Sequence, residues 1–516
     1  MYDNNAVTSP YNHPTPPSLD DAQLTRMRRR GICVVIPTYN NQGTIANIIE
    51  RTKRQCLDVI VVNDGSTDDT STILSQIKGI TVVTLKRNSG KGSALRAGFR
   101  HALKAGFAYA ITLDADSQHF PEDIPLMLRA NIQHPGALLI GERQGLDIME
   151  RSSGSKFANA FSNFWFCVQT GIRLRDTQTG FRLYPLHKLH GLCLLTSRYE
   201  AELELLVFSA WHGVSLRSVP VRVDYPPKEE RVSHFRPVYD FTRITLLNTV
   251  LCFLALLYGL PLRLLRIVMT AVRTVYSLLF FFFWTLLFLL PCSALVVKFT
   301  RNKEQCTRRL HRLLHFIGQL VMRWHGIPGV KIHTDNSVGE TYERPAVVIC
   351  NHQSTFDLMA MLSQSPRLSL LTNDWVWNSP YFGFAVRHAE YYNVTQGIDK
   401  IMPNLRSLVE RGYSIAIYPE GTRSPDCTLQ RFRKGAFAIA RELHLDIVPL
   451  LEYAPGRCLP KGGKYLRRGI FHVEVGRRIP YEEYSQQGED KNIASWFRHL
   501  YAERYAALSD RIDQSL

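Results

Sequence analysis

Two short stretches hold residues whose types and spacing could do chemistry. In the first, Asp114-Ala115-Asp116-Ser117-Gln118-His119, two carboxylates stand two apart at the end of an apolar run. In a regular strand both would face the same side. A turn there would let Asp116 and Gln118 present oxygens to a hard divalent cation, which would in turn hold a diphosphate. A solvated acidic loop before a helix starting near Pro121-Glu122 is the plainer alternative. In the second stretch, Asn351-His352-Gln353-Ser354-Thr355-Phe356-Asp357, His352 and Asp357 are five apart. That is about 140° around a helix, so the two cannot pair within one continuous helix. They can pair if His352 sits on a strand-to-helix turn and the helix begins near Ser354. Asp357 would then fix the imidazole tautomer while the other ring nitrogen takes a proton from a hydroxyl. Ser354-x-x-Asp357 is also a capping-box pattern, which would make the motif structural.

Both stretches need strands that end where they begin. ICVVIPTY, DVIVVNDGS, ITVVTLKR, AYAITLDAD and ALLIGER are short β-branched runs. Helical-length segments such as Gly43–Gln55 and Asp69–Lys78 separate them. This alternation predicts an α/β domain with a doubly wound, mostly parallel sheet, whose ligands bind beyond the carboxyl ends of its strands. Three of those ends are polar: Pro37-Thr38-Tyr39-Asn40, Asn63-Asp64-Gly65-Ser66 and the Asp114–His119 stretch. The apolar run AVVIC before Asn351 predicts a buried strand of a second α/β domain.

PTYN, VVNDGSTDD, the run Asn88-Ser89-Gly90-Lys91-Gly92 and DADSQH stand in the order seen in family 2 glycosyltransferases of the GT-A fold. Over about residues 31–245 the chain resembles dolichol-phosphate mannosyltransferase and related polyprenyl-phosphate enzymes. The resemblance implies a nucleotide-sugar donor, with Pro37, Tyr39, Asp64 and Lys91 in its binding motifs and Asp64 on the nucleoside. It further implies that Asp114 and Asp116 hold the sugar-diphosphate end, and that Asp116 with Gln118 ligates Mg2+ or Mn2+. Thr179-Gly180-Phe181-Arg182 is similar to the SGFR segment of the polyprenyl-phosphate enzymes. There Arg182 offers a planar fork to a lipid phosphate, and Ser233 with Arg236 adds a second hydroxyl–basic pair. The processive-synthase signature Q-x-x-R-W is absent.

Further on, IAIYPEGTRS (415–424), Phe432-Arg433-Lys434-Gly435-Ala436 and Ile447-Val448-Pro449-Leu450 join NHQSTFD in a resemblance to the lysophosphatidic-acid acyltransferase (PlsC-like) family, from about Val330 to Pro480. It implies that His352 is the general base and Asp357 its orienter. Glu420, Gly421, Thr422 and Arg423 would bind the phosphate or polar head of the acceptor. Acyl transfer would run directly from a thioester, acyl-CoA or acyl carrier protein, to a hydroxyl. The family's second motif, ending in arginine, has no clear counterpart in Ser379–Gly397, although Arg387 lies there. A glycolipid hydroxyl is therefore as compatible with the acceptor site as a simple lysophospholipid.

Net charge is +17, from 62 Lys+Arg against 45 Asp+Glu. With long apolar runs and no nucleic-acid motif, this points to anionic lipid surfaces and phosphorylated substrates, not nucleic acid. The ten cysteines are scattered, with no C-x-x-C pair, which implies a reducing compartment. Residues 1–30, with Pro14, Pro16 and Pro17, read as a disordered lead-in and not as a signal peptide. The expected domains are a glycosyltransferase over 31–240, membrane-associated helices over 241–329 and an acyltransferase over 330–516. Two uncharged apolar runs, Ile244–Leu262 and Thr274–Val297, lie between the enzymes. A single crossing would put one enzyme away from its cytosolic donor. A two-span hairpin would export the arginine-rich link Arg263–Arg273, against the positive-inside tendency. Hence a monotopic platform is expected, with Pro291 breaking a re-entrant segment, the basic helix Arg301–Trp324 lying in the interface, and both enzymes on the cytoplasmic face of the inner membrane. The rival readings are two unrelated lipid-modifying activities, or one inactive half serving as a lipid-binding module.

Overall fold

The computed structural model describes residues 20–144, 153–192, 195–224, 237–323, 327–514. By its contacts the chain divides into Met1–Leu265 with Ser509–Leu516, and Arg266–Leu508. The first unit holds a seven-stranded sheet. Its strands are β1 (Ile32–Thr38), β2 (Val59–Asn63), β3 (Thr81–Thr84), β4 (Tyr109–Thr112), β5 (Leu138–Arg143), β6 (Arg182–Pro185) and β7 (Leu216–Val221). The order is β3-β2-β1-β4-β6-β5-β7, and β6 runs antiparallel to both its neighbours. All other pairs are parallel. The β-branched runs are buried on both faces in β1, β2 and β4, as parallel strands covered by helices must be.

The second unit has its own seven-stranded sheet, of β8 (Val330–Asp335), β9 (Ala346–Cys350), β10 (Leu368–Thr372), β11 (Tyr392–Asn393), β12 (Ser414–Ile417), β13 (Asp446–Tyr453) and β14 (Gly469–Val475). Their order is β11-β10-β12-β9-β13-β14-β8. Central β9 lies between β12 and β13, parallel to both, so its carboxyl end opens at the ligand edge of the sheet.

Three expectations change. Residues 20–30 are ordered: Asp20 and Gln23 form a capping box for the helix Asp21–Arg29. Arg30, fully buried, then bonds Asn131, Asp510 and Asp513. Two of those partners lie some 480 positions away, beyond any local sequence cue. Next, the two apolar runs are one helix, Phe241–Phe299, of 59 residues or about 90 Å. Pro291 does not break it. Its ring would crowd the carbonyl four residues back, and that residue, Leu287, lies in a π-helical turn, Phe283–Leu289, which opens the backbone there. The Arg263–Arg273 link is therefore helical too. Lastly, helix Lys303–Arg323 is a core element, not an interfacial one. Its stripe Leu310, Leu314, Ile317, Leu320 and Val321 is buried in the second domain. Trp324 lies outside the described residues.

Within the first unit Arg263 lies against Gly171, and within the second Thr274 accepts a hydrogen bond from the Leu466 amide. Along the helix Leu264, Ile267, Val268, Val272, Leu279 and Phe283 are bare. Most of the large exposed apolar side chains among the described residues sit on this one helix. Two α/β domains are thus joined by a long apolar helix suited to membrane association.

Candidate active sites

The first site forms where β1, β2 and β4 end. After β4 the chain turns through Asp114–Gln118, with Ser117 in the left-handed region and the Asp116 carboxylate accepting from the Gln118 amide. Thr44 donates to the Ala115 carbonyl at 2.6 Å and pins the turn. Asp114 lies 2.6 Å from Lys91 Nζ, which is also 2.9 Å from Glu202. Lys91 opens the helix Lys91–Lys104, just after Gly90. Burial disfavours the charge on Asp114, and the Lys91 ammonium over-rides that, holding the carboxyl below its ordinary value. Lys91 is raised in return, its two acid partners outweighing its own burial. Burial and then the Asp114 charge push Asp116 up to about 6. Burial takes His119 down to about 4, so the ring is neutral, and its buried Nδ1 finds no partner among the described residues.

Two crowded carboxylates, one poised near 6, form an oxygen set that a hard divalent cation would suit. Gly180 is what lets Asp114 fit: a Cβ there would stand 2.2 Å from its Oδ2. Asp64 accepts from the Ser89 and Gly90 amides at 2.8 Å each, tying the end of β2 to the glycine-rich run, and burial raises its carboxyl. Pro37 is buried in β1, and half-buried Tyr39 follows the strand.

Arg182 is not where a lipid phosphate could reach it. It is 1% exposed, and its guanidinium donates to the Thr177 and Glu202 carbonyls and the Tyr184 hydroxyl. It braces the loop before β6, and its nearest route to function is through Glu202. Ser233 and Arg236 lie outside the described residues.

The second site forms at the end of β9. His352 Nδ1 is 2.9 Å from Asp357 Oδ2, and that same oxygen accepts from the Gln353 amide at 2.5 Å and the Ser354 amide at 2.7 Å. The helix is Asp357–Leu362 and begins three residues later than Ser354. Only half of the capping box is present: the Asp357 carboxylate accepts from the Ser354 amide, but the Ser354 hydroxyl accepts from the Phe356 amide and donates to the Leu459 carbonyl, and the helix begins at Asp357 itself. A carboxylate at the first helical position instead gathers the turn's amides and the imidazole on one oxygen. The His352 side chain is 21% exposed, and the Tyr418 ring stacks on it at 4.2 Å between centroids.

The 418–424 segment grips the His352 backbone. The Glu420 carboxylate accepts from the His352 amide at 3.4 Å, and the Ser424 amide donates to the His352 carbonyl at 2.7 Å. Glu420 is 2% exposed and raised to about 8, mainly by burial, so its carboxyl is turned inward and supports the turn instead of meeting an acceptor. Arg423 donates to the Thr355 hydroxyl, and Lys461 donates to the Thr422 hydroxyl and Arg423 carbonyl. Gly421, with positive φ, lies against the Arg433 guanidinium, which a Cβ would meet at 2.9 Å. Arg423, Arg433 and Lys461 therefore gather cationic charge beside His352. Arg387 lies elsewhere, donating to the Trp377 carbonyl.

Sequence reasoning missed Glu202, Tyr418 and Glu452. Glu452 left a trace as the single acid inside the apolar run IVPLLEY, and Glu202 sits in an EAELELL helix whose acids are not separable by pattern.

Residues 33–182 match the family described as Glycosyl transferase family 2, and residues 329–451 match the family described as Acyltransferase. The first half is 26% identical over 215 residues to the UDP-N-acetylglucosamine–dolichyl-phosphate N-acetylglucosaminyltransferase of Methanococcus voltae, covering 38% of this chain and 86% of that one. It is 28% identical over 218 residues to the polyprenol monophosphomannose synthase of Mycolicibacterium smegmatis, covering 39% and 80%. A 1-acyl-sn-glycerol-3-phosphate acyltransferase of Chlamydomonas reinhardtii is 26% identical over 223 residues, covering 40% of this chain and 64% of that one. The chain thus joins a glycosyl transferase family 2 domain to an acyltransferase-family domain.

Proposed function

We propose that the chain carries out two transfers on membrane lipids. At the first site, read as GT-A, a nucleotide-sugar gives its sugar to a polyprenyl-phosphate-like acceptor. At the second, a thioester, acyl-CoA or acyl carrier protein, gives an acyl chain to a hydroxyl of a glycolipid or lysolipid. The relatives named for dolichyl-phosphate, polyprenol and acylglycerol-phosphate substrates support both classes. The observation that carries the reading is the His352–Asp357 pair at 2.9 Å on a partly exposed ring. With Nδ1 held by Asp357, Nε2 is the nitrogen left to take the acceptor's proton as its oxygen attacks the thioester carbonyl. The thiol then leaves. Arg423, Arg433 and Lys461 would hold an anionic headgroup.

At the first site a lipid phosphate is already an anionic nucleophile. Its oxygen attacks the anomeric carbon as the bond to the nucleoside diphosphate breaks, so no strong base is needed. Asp116 and Gln118, beside Asp114, would hold Mg2+ or Mn2+, which when bound would neutralise charge on the leaving diphosphate. Asp64 and the loop it fixes would meet the nucleoside, and Lys91 the sugar-diphosphate end.

The long helix is read as lying in an anionic membrane surface, its bare apolar side chains in lipid and its arginines at the headgroups. Both domains would then share the cytoplasmic face. A linked second site sees a membrane-held intermediate at high effective concentration, a physical reason for the fusion.

The test uses the full chain on anionic vesicles with nucleotide-sugar, polyprenyl phosphate and an acyl thioester. Asp116→Asn should lose sugar transfer alone, and His352→Ala acyl transfer alone. A wild-type chain that acylates nothing would leave the second half as a lipid-binding module.

A further inference from the structure

Behind His352 lies an acid that the proposed chemistry does not use. Glu452, on β13, is fully buried and fixed from both sides: the Asn351 amide donates to its carbonyl, and its own amide donates to the Asn351 oxygen, each at 2.8 Å. The residue before the general base is thus locked to the residue whose side chain reaches Asp357. Asp357 is also fully buried. Its Oδ2 has three donors, while its Oδ1 and both Glu452 carboxyl oxygens have none among the described residues. Two buried carboxylates in this state repel by about 4 kcal/mol at contact range, even at an effective dielectric of about 20. One proton between them removes the repulsion and supplies the missing donor. Asp357, with three N–H partners, is the better anion, so the proton belongs on Glu452.

We infer that Glu452 is a positioning residue for the acyl-transfer site, its protonated carboxyl donating a hydrogen bond to Asp357 Oδ1 and fixing the plane in which Oδ2 meets His352. Burial, followed by the Asp357 charge, pushes the Glu452 carboxyl well above the usual range, in keeping with a held proton. The groups facing it are Asp357 from its helix, Cys350 from β9, and Glu420 and Tyr418 from the segment after β12. The Cys350 thiol, pushed well up by burial, stays protonated and donates to the Asn351 carbonyl at 3.2 Å. Glu452 then donates to one Asp357 oxygen and His352 to the other. Loss of the Glu452 proton at high pH would set two anions side by side and release Asp357 from its orientation.

This rests on His352 acting in acyl transfer, so the test includes a readout free of activity. Glu452→Gln keeps an N–H donor and cannot ionise; Glu452→Leu has neither donor nor charge. In infrared difference spectra at neutral pH, a buried protonated carboxyl band of the wild type should be lost in Glu452→Gln and kept in Glu420→Gln, which removes the other raised acid nearby. For acyl transfer, Glu452→Gln should keep kcat within about threefold and lose the wild type's alkaline fall in kcat. Glu452→Leu should lower kcat by roughly 10- to 100-fold with KM little changed, since a buried oxygen loses its only donor. Absence of the band in the wild type, or an alkaline limb unchanged in Glu452→Gln, overturns the inference even if Glu452→Leu does not fold. If the band is present and His352→Ala still acylates, the acyl-transfer reading fails while the shared proton stands.

Discussion

Replacing Asp357 by Asn separates a carboxylate that acts on His352 from one that only ties up a turn. Its Oδ2 accepts from His352 Nδ1, the Gln353 amide and the Ser354 amide. Asn offers an oxygen of the same shape, so all three donors keep an acceptor, but a neutral one. Each bond drops from the charge-assisted range of about 1.5–3 kcal/mol to about 0.5–1.5. The two amide bonds are the same in ground and transition states. Their weakening appears only in stability, about 2 kcal/mol together, or a Tm fall of roughly 4–8 °C for a domain of this size. The imidazole bond differs, because the ring gains positive charge as it takes the proton and a carboxylate partner then counts for more. Making it neutral should lower kcat by roughly 5- to 15-fold, from about 1–1.5 kcal/mol, with KM nearly unchanged. The assay follows thiol release from an acyl thioester, with His352→Ala as the floor, expected about 10²- to 10⁴-fold down. Once His352 is gone, adding Asp357→Asn should change the rate little, as expected of residues acting as one unit. A variant with lowered Tm but kcat within about twofold of wild type would refute the reasoning and leave Asp357 as a support for the turn.

At the first site, Asp116 at about 6 means that protons and a cation compete for one carboxylate. Mn2+ affinity should fall about tenfold per pH unit below about 6, and Asp116→Asn should remove the dependence. The sign for stability follows: an acid raised above its unfolded value opposes folding once pH exceeds the ordinary carboxylate range, and that penalty fades as pH drops through about 6. Cation-induced stabilisation, read as a rise in Tm, should therefore be larger above pH 6 than below it, and EDTA should abolish sugar transfer alone. Gly180→Ala should reduce sugar transfer about 100-fold while acyl transfer is untouched, since its Cβ would stand 2.2 Å from Asp114 Oδ2 and displace it; normal sugar transfer would show that Asp114 is free to move. Single cysteines near Arg30, Arg266 and Arg511 in a cysteine-free background should all resist labelling until the membrane is permeabilised. Labelling near Arg511 alone in intact cells would establish a crossing.

The sequence by itself determined the chemistry-bearing turns and the strands behind them. Runs such as ICVVIPTY and AVVIC become parallel strands, because β-branched residues buried on both faces suit little else. For His352 and Asp357, a helical arc of about 140° excluded pairing within one continuous helix and left either a pair across a turn or a helix cap, and only the resemblance to the acyltransferase family favoured the pair. Tertiary structure decided what surrounds them. Arg182 reads as an exposed phosphate fork, yet it is enclosed by carbonyls of Thr177 and Glu202 that local pattern does not place near it. Pro291 reads as a break, yet a π-turn before it carries the helix through, because the backbone can open one turn and keep its bonds. Arg30 reads as the end of a loose lead-in until Asp510 and Asp513 arrive from the other end of the chain. Glu452 looks like a blemish in an apolar strand until β13 pairs with β9 and brings it behind Asp357. Periodicity and spacing encode which way a residue faces within its own element. Which charges meet in the interior depends on how distant elements are stacked, and there burial and charge pairing decide each side chain's role.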